Sequence, residues 1–270
     1  MHQARRSLYR RPGERPIRAR DPHGTFEDRT MHPELLTPAQ ARLRPDRPRV
    51  APSEGAARGQ QGRMACLPAD WIHDGGLRAF RGDAGYLGRS IAALKLYVTL
   101  VVSQEAASDA GDPAPIPMSY ERIAALSGLS DPLICAGKKV LLDQGLVTTA
   151  GERPGGTIAY RLTGLRPSSA AARLLHASQG DARIAALHGL TCRKAPNLAA
   201  LKTYLLLCAT GSDPEGVVSL DIDAASSLTH TSHVKIAAAL ATLQDLALAE
   251  LLASPSRSVD HRRIRLLPLR

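Results

Sequence analysis

Apolar and polar positions along this chain fall into two rhythms, and their order repeats. After Ser90, residues 91–102 carry a wide apolar face at helical spacing and predict a helix of two to four turns. Asp, Gly and Pro crowd residues 109–117, which predicts a loop. Ser119 is placed to cap a helix in which Ile123, Leu126 and Leu129 recur at helical period, and Gly128 stands where that helix should stop. Ser130-Asp131-Pro132 opens another helix running through Asp143, with proline tolerated in its first turn. Period-two alternation in residues 146–149 and 157–162, about a Gly/Pro turn at 151–156, predicts a hairpin. The short link centred on Gly128 is the corner that a helix-turn-helix needs.

The second half runs through the same order. Ala199-Ala200-Leu201-Lys202 repeats Ala92-Ala93-Leu94-Lys95, with a tyrosine two residues further on in both places (Tyr97, Tyr204). A Gly/Asp/Pro loop at 211–216 and a β-like stretch at 217–220 follow. Asp221 is set to cap a short helix through Leu228, and Thr231-Ser232 to cap a longer one from His233 to Leu246. Residues 248–252 and 262–266 predict a second hairpin. Between the halves, residues 169–190 read as a linker helix broken near Gly180.

A Ser or Thr cap, a helix, then Leu141-Leu142-Asp143-Gln144-Gly145-Leu146-Val147 leading into a glycine-turn hairpin resembles bacterial winged-helix proteins. The tandem arrangement is similar to the plasmid replication initiator family, in which two winged-helix domains sit side by side on origin repeats. The expected fold class is therefore mostly α (α+β), with two winged helix-turn-helix domains in tandem behind a disordered N-terminal arm. The expected divisions are a tail at 1–63, a first domain at 64–166, a helical linker at 167–196 and a second domain at 197–270. Lys138 departs from the pattern, because many winged helices carry an apolar residue there.

Composition changes the picture mainly through charge. The net charge is +10 and suggests an anionic partner, but residues 1–63 hold 14 arginines against 7 carboxylates, so about +7 of it lies in the tail. That segment also has 8 prolines and no apolar periodicity, which predicts disorder. It reads either as a basic arm lying along phosphates or as an upstream extension before a start at Met64. Aromatic residues make up 3% of the chain, so cores of Leu, Ala, Val and Ile are expected. The four cysteines have no zinc spacing and read as reduced thiols, and the longest apolar run is too short for a bilayer. A cytoplasmic, nucleoid- or plasmid-associated protein is expected.

Candidate chemistry lies on the second helix of each corner, whose first turns enter a major groove in a helix-turn-helix. In the first unit these are Ser130, Asp131, Cys135, Lys138 and Lys139; in the second, Thr231, Ser232, His233 and Lys235. Plain capping is the competing role for Ser130, Thr231 and Ser232. Hairpin cations Arg153, Arg161, Arg257, Arg262, Arg263 and Arg265 suit phosphates, against the alternative of a solvated strand edge. His230 and His233 lack an acidic cluster, so no metal is expected, and no catalytic motif or cofactor signature is present. The expected function is sequence-specific binding of double-stranded DNA, as a replication initiator of a plasmid or mobile element. A transcriptional regulator and a protein-binding adaptor are the competing functions. Expected partners are repeated sites on double-stranded DNA, host replication proteins and a second copy in a homodimer, with no membrane. Two unequal units favour a direct or asymmetric site over a palindrome.

Overall fold

The computed structural model describes residues 63–104, 114–151, 156–164, 173–176, 183–213, 215–253 and 261–270. All of them belong to one compact unit, Glu54–Arg270. The expected basic arm lies outside the described residues.

The chain enters through a short strand β1 (Arg63–Cys66), one turn of helix α1 (Asp70–His73) and a 3-10 turn (Gly76–Ala79). The Trp71 indole donates to the Tyr97 hydroxyl at 2.9 Å, and the two rings meet edge to face at 5.3 Å, which fixes α1 to the helix that follows. That helix is α2 (Leu87–Ser103), and every residue from Ser90 to Val101 is buried. It begins four residues before the expected stretch at 91–102; Ser90 lies inside it and donates its hydroxyl to Arg81 O at 2.8 Å.

Strand β2 (Ile116–Met118), helix α3 (Tyr120–Ser127), helix α4 (Asp131–Asp143) and strands β3 (Val147–Ala150) and β4 (Ile158–Leu162) complete the first half. Their sheet is antiparallel in the order β2-β4-β3. Strand β2 occupies the end of the expected loop, with Pro117 exposed on an edge strand, where a missing N–H is tolerated.

The expected linker helix is not formed as such: Arg173–His176 is a strand, β5, paired antiparallel with β1, and helix α5 is confined to Ala185–Gly189. Helix α6 (Ala195–Thr210) then buries every residue from Asn197 to Ala209. Strand β6 (Val217–Asp221), helix α7 (Ile222–Thr229), helix α8 (His233–Asp245) and strands β7 (Ala249–Leu252) and β8 (His261–Leu266) follow, the sheet running β6-β8-β7. The architecture is thus α+β, with two small three-stranded antiparallel sheets among the described residues.

Helices α2 and α6 are apolar all round because both sit at the centre, packed on each other and on α4 and α8 respectively. Each buries one lysine at the position the repeat shares. Lys95 Nζ donates to Leu190 O at 3.0 Å, and Lys202 Nζ to Thr229 O at 2.9 Å. Burial lowers both pKa values, that of Lys202 to about 8.

The likeness of the halves extends to single atoms. Ser119 and Asp221 both cap the next helix by accepting backbone N–H groups. Ser127 and Thr229 both return a hydroxyl to the carbonyl four residues back, at 2.6 and 2.7 Å. Gly128 and His230, which follow them, both take left-handed backbone angles (φ 69° and 52°).

Candidate nucleic-acid interface

Helices α4 and α8 pack inward on α2 and α6 and leave their outer faces open. On α4, Asp131, Cys135 and Lys139 are exposed and, four residues apart, share one face. Ser130 is the N-cap residue, yet its side chain makes no capping hydrogen bond. Lys138 is buried, with its ammonium 5.6 Å from the centre of the Tyr120 ring, so its stem fills the position where an apolar residue was expected. It is turned to α3 and does not join the exposed group.

On α8, Ser232 caps by backbone alone, and His233, Val234 and Lys235 are exposed, Val234 at 80%. Thr231 is buried and donates its hydroxyl to Thr229 O at 3.2 Å, so it belongs to the corner and not to the surface. His233 Nε2 lies 3.0 Å from Asp223 Oδ1, tying the first turn of α8 to α7. The remaining exposed positions on the first half of this helix are alanines, Ala237 and Ala238. The first turn of α8 carries no acidic residue, whereas that of α4 begins with Asp131. A helix N-terminus favours anions, and Asp131 opposes that at α4.

In the hairpins, Arg161 is exposed on β4 opposite Thr148. Arg153 and Arg257 lie outside the described residues. Strand β8 is the middle strand of its sheet, so Arg263 and Arg265 share one face while Arg262 falls on the other with buried Ile264. Arg262 is exposed, Arg263 is half-buried, and Arg265 donates to Glu250 Oε2 at 2.9 Å across the β7–β8 pair. The structure therefore brings Lys235, His233 and Ser232 together on one turn and gives Arg265 a counter-charge. Glu250 and Asp223 were missed from the sequence; Arg265 lies 15 residues beyond Glu250, a pairing that only the strand register reveals. Among the described residues, no group of three or more His, Cys, Asp or Glu side chains is placed to hold a metal ion.

No helix among the described residues is long and apolar enough to cross a membrane. No protein-family model, curated protein or solved structure matches this chain. The expected partner set of repeated DNA sites, host replication proteins and a homodimer is corrected accordingly, since no relative stands behind any of them.

Proposed function

We propose that each half of the chain is a winged helix-turn-helix domain and that the protein binds double-stranded DNA in a sequence-specific manner, with α8 and the β7–β8 hairpin making the stronger contacts. The reading is supported by the order helix, strand, two helices at a corner, then hairpin, occurring twice with the same strand order. One observation carries it: the first turn of α8 is exposed, holds His233 and Lys235 and has no carboxylate in its own sequence, the Asp223 carboxylate of α7 being held by His233 at 3.0 Å. Such a turn suits phosphate at its backbone N–H groups and base edges at its side chains. Exposed Val234 and Ala238 suit the thymine methyl group, the one apolar feature of the major-groove edge. Duplex binding is common to an initiator and a transcriptional regulator, and it is the activity proposed here.

The test is retention of mixed-sequence duplex by the full chain across a salt series. Each phosphate neutralised contributes about 0.9 to the slope of log affinity against log salt. Replacing Arg262 and Arg263 together by Ala is expected to flatten that slope by about 1 to 2 and to weaken binding on all sequences alike. Arg265→Ala is expected to change it less, because Glu250 already holds that guanidinium. A chain that retains no duplex at low salt would refute the proposal.

A further inference from the structure

The two halves touch through contacts that come in reciprocal pairs. The turn leading into α2 carries Leu77-Arg78-Ala79-Phe80, and the one leading into α6 carries Leu187-His188-Gly189-Leu190. Their apolar ends, Leu77, Phe80, Leu187 and Leu190, are all buried. Arg78 reaches across to α7, donating Nε to Ser227 O at 2.8 Å and Nη2 to Ser227 Oγ at 3.2 Å. His188 reaches the other way, to α3, placing Nε2 2.9 Å from Ala125 O. Ala125 and Ser227 are the same position in the repeat: each lies two residues before the hydroxyl, Ser127 or Thr229, that ends its helix.

The β1–β5 ladder obeys the same rule. Leu77 and Leu187 set an offset of 110 between the lead-in segments, so Arg63 corresponds to Arg173 and Cys66 to His176. The register pairs Arg63 with His176 and Cys66 with Arg173, and likewise Met64 with Leu175 and Ala65 with Leu174. The counterpart of each residue is thus paired with the counterpart of its partner. Contacts in which i meets j and j meets i are the signature of a two-fold rotation; a head-to-tail arrangement makes each contact once only. Helices α2 and α6 pack directly on each other, as elements exchanged by such a rotation can. Because α4 is fixed to α2 and α8 to α6, the two outer helices obey the same rotation.

Resting on the proposed duplex binding, we infer that one copy of this chain reads two half-sites inverted with respect to each other, on opposite strands of one duplex. A duplex touching both α4 and α8 meets them across a two-fold axis, and operator symmetry mirrors protein symmetry. The arms are unequal in sequence, since Asp131, Cys135 and Lys139 face one and His233, Val234 and Lys235 the other. This reverses the preference for a direct repeat drawn from the inequality of the units alone.

The full chain is used to select from a pool of random-sequence duplexes, and the enriched sequences are aligned. Two motifs on opposite strands are expected, with centres about one helical turn apart and one chain per duplex by light scattering. Replacing one arm in place by its reverse complement, at unchanged spacing, is expected to lower affinity about tenfold or more. Lys139→Ala and Lys235→Ala are each expected to relax selection at one arm and leave the other intact. A directly repeated motif, a single undivided motif, two chains per duplex, or equal affinity for the rearranged site overturns the inference while leaving duplex binding standing. A pool from which nothing is retained at low salt removes duplex binding itself, and the inference with it.

Discussion

Lys95 and Lys202 show what one residue position contributes and what it costs. Both ammonium groups lie under the apolar surface, each donating to a carbonyl at the end of a short helix. A buried charge is tolerated only when paired or hydrogen-bonded, and the lowered pKa values record the remaining penalty. For Lys202 the folded value, about 8, lies below the ordinary 10.5, so between the two the unfolded chain binds more protons than the folded one. Stability contributed at this site therefore rises as pH increases through that window. Lys202→Met, which removes the titration, is expected to gain progressively less over wild type as pH goes from about 7.5 to about 9.5 in urea unfolding. A difference that stays constant with pH would contradict the assignment. The shared Ala-Ala-Leu-Lys was legible as a repeat, but not the burial of its lysine. Lys138 and Lys139 make the same point: they are adjacent in sequence, and about 100° of helical rotation puts one under Tyr120 and the other in solvent.

At the scale of elements, what was legible was whatever local chemistry decides. Ser119, Gly128 and Asp221 mark helix ends in the sequence and mark them in the structure. Strands β2 and β5 were not legible, because both are short and take their partners from far along the chain, β5 from residues 107 to 113 positions earlier. Arg-Leu-Leu-His is moreover a good helix-forming sequence, and only pairing with β1 overrides that preference. Gly137 is the element-scale residue that periodicity passes over. A Cβ there would lie 2.9 Å from the backbone of Ala92 and Ala93, so α4 crosses α2 at backbone contact. The second half has Ala239 at the corresponding place. Gly137→Ala improves helix propensity by about 1 kcal/mol but forces α4 away from α2, and a net loss of about 1–3 kcal/mol is expected in chemical denaturation. Ala239→Gly, which opens no clash, is expected to cost only about 1 kcal/mol of propensity with a little packing. A stabilised Gly137→Ala variant would show that the crossing relaxes freely.

The molecule as a whole is two similar halves with a common interior. Helix α2 buries its full circumference only because α6 covers the side that α4 leaves open, and α6 depends on α2 in the same way. A fragment of residues 64–166 is therefore expected to lack cooperative unfolding by circular dichroism, and coexpression with 167–270 is expected to restore it. A 64–166 fragment with a sharp transition of its own would show that the interior is divisible. The joining of the halves in one polypeptide also bears on how such a surface changes over generations. In a pair of identical subunits every mutation alters both arms together, so unlike arms are out of reach. Here a codon change in α4 leaves α8 as it was, and each outer helix is free to drift independently while the shared interior keeps their spacing and orientation fixed.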